Sequence, residues 1–396
     1  MLTKRISNLA PSKTMQVTAK SKNMKAQGIK VLDYSVGEPD FQTPENICEA
    51  AKAAIDAGYT KYTLVNGITP LREAISEKLW KDNKVRYTPD QICVGTGAKQ
   101  PLFNAVFSVC EEGDEVIIPT PAWVSYEEIV KLAGATPVYV ECYKKDDFEL
   151  NMEGVKKAVT PRTKAIIINT PNNPTGAVYS EETLRELAAL AVEHNFYIIV
   201  DEIYEKLIFG DKKHFSVASI SDEVWNRCIL INGFSKSYAM TGWRIGYVAA
   251  NDEIIKAVKG VQSHMTSAGN TISQYAALEA LKGSQEFIKE MHKEFEERRD
   301  YLVKRINETP YLSCNNVSGA FYVMIDISQV IGKKCGDTVI TDSMVLADLL
   351  LTKAHLALVS GAAFHAEGYL RMCYAVSRKE LEEGMDCMKK FMEELD

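Results

Sequence analysis

Ala165-Ile166-Ile167-Ile168 runs straight into Asn169-Thr170-Pro171-Asn172-Asn173-Pro174-Thr175-Gly176. A short apolar run rich in β-branched residues that stops at a cluster of turn formers reads as a buried strand and the loop after it. The same pattern recurs along the chain. Phe196-Tyr197-Ile198-Ile199-Val200 leads into Asp201-Glu202-Ile203-Tyr204, and Cys228-Ile229-Leu230-Ile231 into Asn232-Gly233-Phe234-Ser235-Lys236. Gln91-Ile92-Cys93-Val94 leads into Gly95-Thr96-Gly97-Ala98-Lys99, and Glu115-Val116-Ile117-Ile118 into Pro119-Thr120-Pro121-Ala122-Trp123. Helical patterns over 98–110, 122–133 and 181–194 separate these runs. Strands alternating with helices predict an α/β fold, a mostly parallel sheet covered by helices on both faces. Ligands of such sheets lie outside the carboxyl ends of the strands. Asn173, Asp201, Lys236, the Gly97-Ala98-Lys99 turn and Trp123 are therefore expected at one crevice.

With 396 residues the chain is long enough for more than one domain. The strand–helix alternation spans about Glu45 to Ala250, and Glu286 to Ile306 reads as one long charged helix. Short strands follow at Ala320–Asp326, Leu356–Val359 and Leu370–Tyr374, interleaved with helices near 342–354 and 378–394. This predicts a second, smaller α/β unit. The expected division is 1–44 as the N-terminal part of the small domain, 45–286 as the large domain and 287–396 as the rest of the small one.

A net charge of -7 with no basic stripe argues against a nucleic-acid binder. No apolar stretch approaches a membrane span, and the start Met1-Leu2-Thr3-Lys4-Arg5 lacks the apolar core of a signal peptide. The nine cysteines are scattered without a C-x-x-C pair, which suits reduced thiols and a cytoplasmic protein. The six histidines are equally dispersed, so no metal site is expected.

Two side chains after the Cys228–Ile231 run carry the chemical reading. Lys236 offers a primary amine at the end of a strand, and Arg244 follows in Thr241-Gly242-Trp243-Arg244. An amine there condenses with a carbonyl, while a guanidinium holds a phosphate. Pyridoxal 5'-phosphate, held as a lysine Schiff base, uses both.

Asn172-Asn173-Pro174-Thr175-Gly176, Asp201-Glu202-Ile203-Tyr204, Ser235-Lys236 and Thr241-Gly242-Trp243-Arg244 occur in order between Val36-Gly37-Glu38-Pro39-Asp40-Phe41 and Leu370-Arg371-Met372-Cys373-Tyr374-Ala375. Over essentially its whole length the chain resembles the fold-type I, pyridoxal-phosphate-dependent aminotransferases of the aspartate aminotransferase class. Within that class it is most similar to the bacterial aspartate/prephenate subgroup. The resemblance implies a seven-stranded sheet and a small domain built from both termini. It implies transfer of an amino group from an L-amino acid, aspartate or glutamate foremost, to 2-oxoglutarate or oxaloacetate. Lys236, Asp201 and Tyr204 are then the catalytic residues.

The resemblance also implies a role for each further residue. Asp201 pairs with the pyridine nitrogen, and Asn173 and Tyr204 hydrogen-bond the ring's phenolic oxygen. Trp123 stacks on the ring. Gly97, Ala98, Lys99, Ser235 and Arg244 surround the phosphate, joined by Tyr62 of a neighbouring subunit, so a homodimer with shared sites is expected. Arg371 and Gly37 take the substrate's α-carboxylate beside Trp123 and Asn173, and Lys99 with Thr14 meets a distal carboxylate. Cis bonds are implied at Thr120-Pro121 and Asn173-Pro174. One position departs from the family: Gly233 stands where many members carry a serine or threonine ligand of the phosphate, so one hydroxyl contact is missing, and Ser235 is expected to replace it in part.

Other readings stay open at this point. Broader specificity (prephenate, aromatic residues, alanine) and a β-lyase share nearly all of the same cofactor residues. A dinucleotide-dependent dehydrogenase would use Gly95-Thr96-Gly97-Ala98-Lys99-Gln100, but Gln100 stands where the third glycine belongs. A non-enzymatic regulator on this scaffold would carry a basic helix-turn-helix, and none precedes Leu32.

Overall fold

The computed structural model describes residues 4–7, 9 and 13–396, with side chains at 6, 7 and 9 and from 16 onward. After β1 (Leu32–Asp33) come β2 (Ile92–Gly95), β3 (Glu115–Thr120), β4 (Thr136–Glu141), β5 (Thr163–Asn169), β6 (Tyr197–Asp201), β7 (Cys228–Gly233) and β8 (Gly246–Ala249). Strands β2 to β8 form one seven-stranded sheet in the order β2-β8-β7-β6-β5-β3-β4. Strand β8 runs antiparallel to both β2 and β7; every other pairing is parallel.

The apolar runs are continuous because both faces are covered. Ile166 and Ile168 of β5, with Ile198 and Val200 of β6, enter one core. Ala165, Ile167 and Ile199 enter the other. Helices Glu45–Asp56, Thr69–Lys78, Glu181–His194 and Thr271–Lys282 supply the first core; Lys99–Val109, Ser125–Leu132 and Asp252–Met265 supply the second. Each fully buried isoleucine contributes about 1.5–3 kcal/mol over leaving it exposed. The expected helix over 122–133 begins only at Ser125, which leaves Ala122–Val124 as the turn that seats Trp123.

A second body holds β9 (Tyr322–Asp326), β10 (Lys334–Cys335), β11 (Thr338–Val339), β12 (Leu356–Ala357), β13 (Val359–Ser360) and β14 (Tyr369–Cys373). Strands β13, β14 and β9 form an antiparallel sheet, and β10 and β11 form a hairpin. Helices Glu286–Asn307, Ser343–Lys353 and Arg378–Glu393 pack around them over Phe295, Leu302, Phe321, Leu350 and Met385. The single strand expected over Leu356–Val359 is two. Leu356–Ala357 pairs in parallel with β1, and after Leu358 the chain changes partner to β14. That switch ties the segment around Leu32 to the C-terminal body. Among the described residues no helix is long and apolar enough to cross a membrane. Thr120-Pro121 and Asn173-Pro174 are cis, and so is Thr170-Pro171.

Candidate active site

A cavity of about 490 Å³ opens at the carboxyl ends of the parallel strands. Ala98, Lys99, Trp123, Asn173, Asp201, Tyr204, Ser235, Lys236 and Arg244 line it from the large sheet. Gly37, Tyr322 and Arg371 close it from the other body.

Asp201 ends β6 with its carboxylate buried. Oδ2 accepts the Tyr126 hydroxyl at 2.8 Å, and Oδ1 accepts the Ile203 N–H at 3.2 Å, so the same side chain shapes the turn after the strand. Burial pushes its pKa up to about 6, against the pull of the Tyr126 and Ile203 hydrogen bonds. Such a carboxyl is poised to gain from a cation placed beside it. Lys236 follows β7, and its Nζ donates to the Gly37 carbonyl at 2.5 Å. Burial brings its amine down to about 8, so the neutral amine, a minority at pH 7, is far more accessible for nucleophilic attack or proton transfer than on an ordinary lysine.

Arg371, on β14, is buried with neutral described partners. Nη2 donates to the Ser35 carbonyl at 2.6 Å and Nη1 to Asn173 Oδ1 at 3.3 Å, while Nε has no hydrogen-bond partner among the described residues. Its guanidinium lies 4.6 Å from the Tyr322 ring centre and 5.0 Å from that of Phe364. A buried guanidinium with a donor to spare is a receptor for an anion, and its planar fork suits a carboxylate. Tyr322 also meets the Tyr204 hydroxyl at 3.0 Å. Only glycine fits at 37, since a Cβ there would sit 2.1 Å from the Tyr322 hydroxyl.

The far end of the cavity gathers positive charge. Gly97 has φ +65°, and a Cβ on it would fall 2.4 Å from Nη2 of Arg244. Arg244 itself is held at φ +53°, a conformation that costs a side-chain-bearing residue and is tolerated where surroundings enforce it. Lys99 opens the helix Lys99–Val109, with Nζ 4.7 Å from the Trp123 ring centre. Burial and then Arg244 lower its proton affinity. Two cations beside a helix start, whose first N–H groups lack intrahelical partners, make a cradle for phosphate or carboxylate.

Gly97 lies under Arg244 rather than on the cavity wall, Tyr62 is 94% exposed and stands outside the wall, and the side chain of Thr14 lies outside the described residues. Sequence reasoning missed Tyr126, Tyr322, Asn169 and Thr18, which also line the cavity. For Asn169 a signal existed: it ends the same run as Asn173, and its Oδ1 accepts the Asn173 N–H at 2.7 Å, which fixes the turn. Tyr126 stands one helical turn after Trp123, edge-on to it at 5.3 Å.

Comparison with known proteins agrees with this geometry. The family model described as aminotransferase class I and II matches residues 29–387. The chain is 45% identical to an aspartate aminotransferase of Bacillus sp. (strain YM-2), with 99% of each covered. It is 47% identical to a probable aspartate/prephenate aminotransferase of Aquifex aeolicus, covering 100% of this chain and 99% of that one. Among solved structures, the aspartate aminotransferase of Rhizobium meliloti superposes with a TM-score of 0.97 at 39% identity, each chain fully covered at 100%. The aspartate aminotransferase from Thermus thermophilus with maleate gives 0.93 at 40% identity, with 99% of each covered. With the family model over most of its length and relatives matched end to end, this chain belongs to the class I and II aminotransferases.

Proposed function

We propose that this transaminase moves the amino group of aspartate or glutamate to 2-oxoglutarate or oxaloacetate, with pyridoxal 5'-phosphate as its carrier. The observation that carries this is the buried Arg371, its Nε unpartnered, facing the same cavity as Lys236 and Asp201. The donor set suits the cofactor: a buried carboxyl raised to about 6, an amine lowered to about 8 and a cradle for an anion. When bound, pyridoxal 5'-phosphate supplies an aldehyde carbon that takes up the amino group and a ring that accepts electron density.

The residues then divide the work. Asp201, ionised, holds the proton on the ring nitrogen, with Tyr126 keeping the carboxylate in place. Asn173 and Tyr204 hydrogen-bond the phenolic oxygen, and Trp123 covers the ring. Ala98, Lys99, Ser235 and Arg244 hold the phosphate, with Gly97 leaving room for the guanidinium and Tyr62 of a partner copy completing it in a cytoplasmic homodimer. Arg371 and Gly37 orient the substrate's α-carboxylate. Lys236 takes the proton from the substrate's α-carbon and returns one later, as base and then acid. Residues 45–286 carry the cofactor, and 1–44 with 287–396 carry the substrate grip.

Lys99 and Thr14 read the distal carboxylate, as suits a family in which a Thermus relative was solved with maleate, itself a dicarboxylate. Prephenate carries a second carboxylate too, and the Aquifex relative is named for it. The test is a panel of amino donors against 2-oxoglutarate. Aspartate and glutamate should lead alanine and the aromatic amino acids. Release of ammonia and pyruvate without an acceptor would make the protein a β-lyase instead.

A further inference from the structure

On the side of β6 away from the cavity lies a second set of charges that no step above uses. Neighbouring residues leave a strand on opposite faces, so Asp201 meets Tyr126 on one side while Glu202 enters the core on the other. Glu202 is fully buried. Asn83 Nδ2 donates to its Oε2 at 2.8 Å and to Glu205 Oε2 at 2.7 Å. Lys78 pairs with Glu205 and donates to Asn83 Oδ1 at 2.7 Å. His214 brings Nε2 to 3.1 Å from Glu202 Oε2 and 3.9 Å from Glu205 Oε2.

Two carboxylates against one lysine leave a surplus negative charge in an apolar core, and a cationic His214 beside them cancels it. Burial disfavours that cation, but Glu202 and then Glu205 outweigh burial and raise the imidazole's proton affinity. Glu205 stays ionised, held near a pKa of about 2 despite its burial by Lys78 and His214. Further out, Asp82 pairs with Lys206 and lies 3.9 Å from Lys78. Tyr87, Tyr238, Tyr247 and Cys228 also face the cluster; burial raises all four, so they remain neutral.

We infer that His214 is a positioning residue for catalysis: its charge neutralises Glu202 behind β6 and thereby keeps Asp201 ionised in front of it. This rests on Asp201 being the partner of the ring nitrogen. The link is electrostatic and short. Glu202 is the next residue in the chain, and its charge raises the proton affinity of Asp201. In a low-dielectric interior a charge at that range is weakly screened, so its compensation matters.

The test uses the holoenzyme and three variants: His214→Gln, Glu202→Gln and the double variant. For each, kcat/KM and the visible absorption of bound cofactor are followed against pH, with Tm recorded in parallel. Removing His214 should move the acid limb of both curves up by about half to one pH unit. Removing Glu202 should move it down, and the double variant should return it close to wild type. A purely structural tie would lower Tm and leave the limbs in place, or move them in the same direction for both single variants; either result overturns the inference. Should His214→Gln fail to fold, the downward shift of Glu202→Gln and its return close to wild type in the double variant decide. Near-normal turnover in Asp201→Asn would instead sink the assignment of Asp201, independently of His214.

Discussion

The Tyr126 hydroxyl holds Asp201 Oδ2 at 2.8 Å from the first turn of the helix that follows Trp123. One turn thus carries both an aromatic wall of the cavity and the clamp on its deepest carboxylate. The clamp stabilises the ionised form. Tyr126→Phe should raise the proton affinity of Asp201 and move the acid limb of kcat/KM to higher pH, with a loss of about 1–2 kcal/mol in transition-state stabilisation. A pH–rate profile with an unmoved limb would remove Tyr126 from the mechanism.

Asp201→Asn separates stability from activity. The folded-state pKa of about 6 stands above the ordinary 3.8, so the carboxyl costs nothing below 3.8, destabilises the fold as pH rises from 3.8 toward 6, and keeps that full penalty above 6. Without cofactor, the Asn variant should therefore be more stable than wild type at pH 8, by on the order of 2–3 kcal/mol, and no more stable below pH 4. Its turnover should fall by orders of magnitude, because an amide cannot hold the ring nitrogen protonated. Urea titrations at the two pH values and a rate assay check both halves.

Lys236→Ala should abolish turnover while the protein keeps some affinity for pyridoxal 5'-phosphate through the anion cradle. Borohydride treatment of the wild type should fix the cofactor to Lys236. Peptide mapping that finds the label on another lysine would refute the assignment.

Arg371→Lys keeps the charge and loses the fork. Since Nη1 and Nη2 already serve Asn173 and Ser35, the lysine should also loosen that wall. KM for every amino donor should rise, by about 2–4 kcal/mol of binding, whatever the side chain of the donor. An unchanged KM for alanine would show that the α-carboxylate is held elsewhere.

Lys99→Ala should instead discriminate. If Lys99 reads the distal carboxylate, aspartate and glutamate should lose about 1.5–3 kcal/mol in kcat/KM relative to alanine. Equal losses would assign Lys99 to the phosphate alone.

Much of this is legible in the sequence. The strands that carry Asn169, Asp201 and Gly233 are buried on both faces, so their sequences are unbroken apolar runs with turn residues behind them. Strands β4 and β8 were not singled out. The first is a half-exposed edge containing Pro137, and the second is Gly246-Tyr247-Val248-Ala249, without a β-branched run. Asn173, Asp201 and Lys236, which follow strands closely, line the cavity because local sequence says where a strand ends, whereas Gly97 lies behind its wall. Tyr126 and Tyr322 were not, since each owes its position to a hydroxyl partner far away in the chain. Arg371 came from resemblance alone: nothing near it in sequence announces that Ser35 and Asn173 will meet it.

Ser35, whose carbonyl steadies Arg371, follows a stretch threaded between strands from the other end of the polypeptide. Leu32 pairs with Leu356, the Tyr34 N–H donates to the Ala357 carbonyl, and the Tyr34 carbonyl accepts the Cys373 N–H. A nascent chain leaves the ribosome N-terminus first, so this stretch emerges long before its partners exist. The parallel sheet can assemble during synthesis, with Lys236 and Asp201 in place. On the proposed assignment, the grip on the substrate can be completed only when residues 356–373 arrive to pair with that stretch, after the residues of the proposed chemistry have already been made.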